Sequence, residues 1–286
     1  MKKLINIIFF SFITVSIFSQ PQGDGSSSNP YHGVIDTPWT LSGDKYCGDL
    51  EVTSGTFTIS PGATLRFGTG NSLTISGTGV LYAVGTAESQ ITFTAAGTSW
   101  GHIYISSTGD MSYLTYCIVE KGDARNLSPN YGGGLHINSS QISVSYCIFH
   151  DNIAYAGGGI FINQYQNPIV SNCHFYSNTA THTGGAIYIW YGSNALIQNC
   201  IIDNNRCTSQ ATRGGGGIGI YTGNGQLKII NSTIVNNRHT TSNQNMGNNI
   251  EIYSLNNFKI INCVIWGERD TSIYFQSSEG YYSNNI

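Results

Sequence analysis

Between Tyr113 and Gly267 the apolar positions recur on a nearly fixed cycle. Cys117, Cys147, Cys173, Cys200, Ser232 and Cys263 fall at intervals of 30, 26, 27, 32 and 31 residues. Three residues before each stands an aliphatic side chain: Leu114, Val144, Val170, Ile197, Ile229 and Ile260. Two residues after each stands another apolar one: Val119, Phe149, Phe175, Ile202, Ile234 and Ile265. A turn of variable length follows, then a third apolar pair, often behind Gly-Gly: Ile103/Ile105, Leu135/Ile137, Ile160/Ile162, Ile187/Ile189, Ile218/Ile220, Ile250/Ile252 and Ile273/Phe275. Apolar residues alternating with others over a few positions predict strands, and no stretch after the N-terminal segment has a helical period.

A repeat of this length, made of short strands with Gly and Asn at the corners, predicts a solenoid. One coil cannot bury its own apolar side chains. Coils stacked about 4.8 Å apart as parallel strands can, because like positions then form continuous columns. The expected fold is all-β, a single-stranded parallel solenoid of about nine to ten rungs.

The polar positions fit the same stack. Asn172, Asn199, Asn231 and Asn262 precede the column position by one residue, and Asn152, Asn178, Asn205 and Asn237 follow it by five. Asn tolerates the left-handed backbone of a sharp corner, and stacked amides can hydrogen-bond from rung to rung. The insertions "GDARNLSPNY" (122–131), "TATHTG" (179–184), "RCTSQATRG" (206–214) and "RHTTSNQNMG" (238–247) are expected to bulge from one corner and leave the stack undisturbed.

Composition narrows the setting. Lys2 and Lys3 followed by an apolar run from Leu4 to Phe18 read as a secretory signal over residues 1–20. Residues 21–46, with Pro30, Pro38 and Trp39, are expected to form an N-terminal extension or cap, and 47–286 the solenoid. No later run is long enough to span a membrane. The expected location is secreted or at the outer cell surface, and a monomer is expected. The chain stops at "YYSNNI" without an evident cap, so either it continues or its last loop folds back. Only 9% of residues are charged and the net charge is −3, which gives no electrostatic reason for a nucleic-acid partner. With 40% hydrophobic and 12% aromatic residues the chain can bury a core. Seven cysteines raise the question of disulfides. A stacked interior column suits a small apolar thiol, with a disulfide between neighbouring rungs as the alternative. Cys47 and Cys207 lie off the column, and no pairing for them is evident.

The first coils resemble a pattern common at the start of exported bacterial right-handed parallel β-helix proteins: "PGATLRFG" (61–68), "LTISG" (73–77), "LYAVGT" (81–86), "ITF" (91–93) and "WGHI" (100–103). The rung "NCHFYSNTATHTGGAI" (172–187) resembles polymorphic outer-membrane-adhesin and pectate-lyase-like repeats, and "NCVIWG" (262–267) a late rung of cell-surface β-helix proteins. The resemblance implies a right-handed parallel β-helix. It implies no single activity, since this fold carries lyases, hydrolases, adhesins and spacers.

Candidate chemistry is sparse. The lyases and hydrolases brought in by the resemblance use clustered Asp residues, with calcium and an Arg or Lys base in the pectate type. Here no two acids are adjacent in sequence, Asp151 and Asp203 are two rungs apart, and "ERD" (268–270) sits in a turn. No cofactor is expected, and calcium has no evident ligand set. His150, His174 and His182 are expected in loops, not as a metal cluster. The outward face of the third strand is richer. Tyr104, His136, Phe161, Tyr188, Gly219, Glu251 and Tyr274 occupy one outward position, and Trp190, Tyr221 and Tyr253 the next. Tyr188, Trp190, Tyr221, Tyr253 and Tyr274 are the candidate ligand-binding residues, because sugar faces stack on aromatic rings. The alternative is that aromatics serve only as strand formers stacked on one another. Glu251 is the sole acid on this face, a ligand for hydroxyls or half of a catalytic pair. Arg206, Arg238 and Arg269 each lie six residues past the column and would suit an anion, or simply form a solvated turn face. The leading expectation is a glycan-binding or adhesive module whose partner is a polysaccharide or surface glycan. A polysaccharide lyase or glycoside hydrolase acting on polyuronides, and a structural spacer, are the alternatives.

Overall fold

The computed structural model describes residues 19–139, 141–209, 214–221, 223, 225–240, 247–254, 257–267, 272–276, 278 and 280–286. The proposed signal segment through residue 18, and Arg269, lie outside them. The repeat positions meet one another as the cycle demands. First strands stack with Val144, Val170, Ile197, Ile229 and Ile260 in direct register. Second strands stack with Val119, Phe149, Phe175, Ile202, Ile234 and Ile265 in register. Third strands align Leu135, Ile160, Ile187, Ile218, Ile250 and Ile273. The first strands form a ten-stranded sheet, and the second and third strands an 18-stranded one. The two legs of the larger sheet join because the long strand Asp44–Val52 pairs with Thr64–Phe67 at one end and with Leu73–Ile75 at the other. These ladders are parallel throughout, and together they make a parallel β-helix.

The column side chains point inward and are buried, with the rings of Phe149 and Phe175 stacked 5.0 Å apart. All seven cysteines are buried and free. The column thiols turn to carbonyls of the preceding coil, as Cys147 Sγ does to Leu114 O at 3.3 Å. The interior is thus sealed without a covalent link. Phe275 departs from expectation: it stacks on Phe258 but is 42% exposed, because it lies on the last of the third strands described.

The two sets of asparagines divide the labour. Asn172, Asn199, Asn231 and Asn262 adopt φ between 51° and 54°, the left-handed corner. Asn152, Asn178, Asn205 and Asn237 do not. Their side chains form a buried ladder in which the Nδ2 of Asn152, Asn178 and Asn205 donates to the next coil's Oδ1, and that of Asn237 to Asn249 Oδ1 in its own coil, at 2.9–3.0 Å. The second corner's left-handed residue is instead the one before each ladder asparagine: Asp151, Ser177, Asn204 and Asn236.

The variable turns do more than bulge. Ile153–Ala156, Thr179–Thr183, Arg206–Cys207 and Arg238–His239 pair as an outer four-stranded parallel sheet between the second and third strands. The insertion 122–131 joins it through parallel bridges from Asp123 to Ile153 and from Tyr131 to Ala156. Near the N-terminus Tyr31–Ile35 and Trp39–Leu41 already pair in parallel with the strands that follow, and Trp39 stacks on Phe57 at 5.0 Å. At the other end Gly280–Ser283 pairs with Phe258–Ile261, and Ile286 exchanges backbone hydrogen bonds with Cys263 and Ile265.

Candidate functional site

The third strands carry the two aromatic columns in the expected register: Tyr188 beside Gly219, Glu251 and Tyr274, and Trp190 beside Tyr221 and Tyr253. The face is not uniformly open, because the turns fold over it. Around Tyr104, His136 and Phe161 the insertion 122–131 lies across the strands, with Tyr131 stacked on Phe161 at 4.6 Å and 13°. His136 and Phe161 are consequently buried. Trp190 leans toward Phe161, with ring centroids 6.2 Å apart.

Farther along, Tyr188, Tyr221, Tyr253 and Glu251 share one pocket with Ile220 and with two outer-sheet residues, His182 and Thr183. Its enclosed volume is only about 30 Å³, so it is a shallow depression and not a deep ligand cavity. Tyr221 and Tyr253 stack 5.2 Å apart at 24°, a direct result of adjacent coils in register. Gly219 lies between Tyr188 and Glu251, and a Cβ there would run into Thr183 Oγ1 unless that hydroxyl moved. Glu251 is 3% exposed, and its Oε2 accepts the Gly214 N–H. Behind it lies Cys207, whose thiol burial pushes up to about 12 and which donates to His182 O at 3.1 Å. That thiol stays protonated and is no nucleophile. Tyr274 follows Glu251 in register but does not line the pocket.

Arg206 and Arg238 are in direct register on the outer sheet, and both are exposed. A like-charge pair one rung apart is tolerable in water, and an anion bridging the two would relieve it. Arg269, the third of that set, is outside the described residues.

A further column escaped the sequence reading. His150 and His174 lie on second strands and His182 on the outer sheet, not in loops. The outward position three residues past the cysteine column holds Glu120, His150, Tyr176 and Asp203 in register. His150 Nε2 lies 3.1 Å from Glu120 Oε2 and its Nδ1 2.7 Å from Asp151 Oδ2, while His174 Nε2 lies 2.6 Å from Asp203 Oδ1. Tyr176 stacks on His150 at 4.8 Å and 4°. The constant offset of three residues from the column was the signal that could have found it. These pairings engage the acids with imidazoles. Among the described residues no group of three or more His, Cys, Asp or Glu side chains is arranged to hold a metal ion.

The ladders, the inward columns and the composite face define a parallel β-helix whose turns build its surface. Residues 87–286 match the family model described as right handed beta helix region, and the chain belongs to that family. Over 59 residues it is 44% identical to metabotropic glutamate receptor-like protein R of Dictyostelium discoideum. That match covers 20% of this chain and spans only 4% of the relative's length. No solved structure matches the chain significantly.

Proposed function

We propose that this β-helix is a glycan-binding module that acts outside the cell, secreted or on its surface. The observation that carries the reading is the convergence of Tyr188, Tyr221, Tyr253 and Glu251 on one small pocket. A sugar ring laid against the tyrosines buries its apolar C–H face, and the Glu251 carboxylate and tyrosine hydroxyls take its hydroxyls. The depression is too small to enclose a sugar, so the ring would lie across its rim, with the rest of the chain running along the coils past Trp190 or Tyr274. Arg206 and Arg238 would favour a glycan with carboxylate or sulfate groups. The test is a glycan array followed by calorimetry on the best ligand. Loss of one stacked ring in Tyr221→Ala is expected to weaken binding at least about fivefold, since such contacts contribute about 1 kcal/mol beyond area burial. A folded wild-type protein that binds nothing on neutral, uronate and sulfated arrays would remove the reading.

Glu251 supports one second reading. A buried carboxylate on a pocket floor among three tyrosines is a setting for acid–base work on a glycosidic bond. Release of reducing or unsaturated ends from a polyuronide panel, abolished in Glu251→Gln, would favour a hydrolase or lyase over a binding module.

A further inference from the structure

Residues 122–133 run back over the outward face of the third strands, and what they cover is unusual. His136 is 2% exposed, and neither of its ring nitrogens has a hydrogen-bond partner among the described residues. Its ring stands edge-on to Tyr104 and Phe161, both 4.8 Å away at 69°. The buried His102 ring lies 6.1 Å off. Tyr131 closes the box from above. The His102 Nδ1 lies 3.1 Å from Tyr131 O and 3.0 Å from Gly132 O. Both neighbours are acceptors, so Nδ1 carries the hydrogen and tethers the segment. The segment's start is anchored by Gly122 N to Asn152 Oδ1, Ile153 N to Gly122 O and Asp123 N to Trp100 O, and its further backbone bonds include Ala124 N to Ile153 O, Gly132 N to Ala156 O, Gly133 N to Gly157 O and Tyr155 N to Asn130 O.

We propose that residues 122–133 form an acid-released strap, which when closed seals Tyr104, His136 and Phe161, and when open adds them to the aromatic face that continues at Tyr188 and Trp190. An imidazolium has two N–H groups to satisfy, and the closed box offers His136 no acceptor for either. A second imidazole beside it adds repulsion once both are charged. Burial first, and the neighbouring His102 second, hold His136 down to about 3, and burial also lowers His102. The remaining groups around the box do not offset this. The strap's one acid, Asp123, is bonded to Arg125 at 2.7 Å, and Lys121 pairs with Glu120 at 3.6 Å. The Tyr104 hydroxyl accepts from Asn138. Tyr155, edge-on to Tyr131, carries His182 stacked on its far side.

The sign follows from linkage. The closed form binds fewer protons than the open one, so closure keeps its full advantage above the ordinary histidine value near 6.5. It loses that advantage as pH falls from there toward 3. Between pH 7 and pH 5, His136 alone raises the open-to-closed ratio about 25-fold.

Amide hydrogen exchange at Ala124, Gly132, Gly133 and Tyr155 tests this, corrected for intrinsic rates, with Thr179 N as the control outside the strap. The expected result is about a 25-fold or larger rise in strap opening from pH 7 to pH 5, with the control unchanged. His136→Phe fills the same box without a titrating ring and should remove most of that rise. A strap equally protected at both pH values, or an undiminished rise in His136→Phe, overturns the proposal. Should that variant fold poorly, the ring C–H resonances of wild-type His136 serve instead: an ordinary titration near 6.5 while strap amides stay protected would also overturn it. None of these readouts depends on the pocket binding a glycan.

Discussion

The asparagine ladder makes a sharp quantitative claim, because the two asparagine sets look alike in sequence and differ in structure. Asn178 is 0% exposed, and its side chain makes four hydrogen bonds. It donates to Phe149 O at 2.8 Å and to Asn205 Oδ1 at 3.0 Å, and accepts from Asn152 N and Asn152 Nδ2 at 3.2 and 3.0 Å. At about 1 kcal/mol net for each bond, with buried partners left unsatisfied, Asn178→Ala should cost about 3–5 kcal/mol. That is a large share of the roughly 5–15 kcal/mol that holds a typical domain. Asn178→Asp should do no better, since it keeps acceptors and puts a carboxylate against two oxygens. Asn199 sits at the other corner, with φ of 53° and one exposed bond of 3.4 Å to Asn172. Asn199→Ala should cost only about 1 kcal/mol of left-handed strain, and Asn199→Gly should recover it. Urea denaturation measures the global difference. Stacked repeats can open in segments, so amide exchange at Asn152 N and Thr179 N gives the local one. If Asn178→Ala costs no more than Asn199→Ala, the ladder is a consequence of stacking and not a cause of its stability.

Three other outcomes follow from the core and surface. All seven cysteines should react with a thiol reagent in denaturant without reductant and none in the folded protein at neutral pH, Cys47 and Cys207 being pushed up to about 12 by burial. Fewer than seven in denaturant would reveal a disulfide. Gly158→Ala puts a Cβ onto the Gly185 carbonyl and 2.6 Å from Thr179 O, so it should lower the melting temperature sharply, at a cost of several kcal/mol. Gly97→Ala meets nothing within 4 Å and should shift stability by less than about 0.5 kcal/mol, and equal effects at the two sites would refute the packing argument. A double-mutant cycle between Glu120→Gln and His150→Gln should give a coupling of about 1 kcal/mol, and zero coupling would show the pair to be incidental.

Much of this was legible because a solenoid converts sequence spacing into contact. Val144, Val170 and Ile197 could be placed beside one another from intervals alone, and the strands pair them residue for residue. The thiol column and the rung-to-rung amides were readable for the same reason. What stayed hidden lies where spacing varies. Nothing in "GDARNLSPNY" fixes the path of its backbone, so neither the stacking of Tyr131 on Phe161 nor the burial of His136 could be derived. The sharing of roles between corner and ladder positions was also opaque in one respect: Ser177 and Asp151 take the left-handed conformation that asparagine was expected to supply.

The outer sheet explains how the same stack can carry different surfaces. Three of the four outer strands start from the ladder, with Thr179 N donating to Asn152 O, Arg206 N to Asn178 O and Arg238 N to Asn205 O at 2.8–3.0 Å, while Ile153 N donates to Gly122 O. The strands Ile153–Ala156 and Thr179–Thr183 end on glycines bonded to the next coil's glycines, Gly158 N to Gly184 O and Gly185 N to Gly215 O. Both ends of the turn are therefore fixed by the repeat, while the length between them is free. The pocket draws on both sources. Tyr188, Tyr221, Tyr253 and Glu251 come from third strands whose register the core dictates, whereas His182, Thr183 and the Gly214 N–H come from turns that the core does not constrain. A change of pocket lining then requires new turn residues and leaves the buried columns intact, and the segment over His136 is the same device used to cover the face.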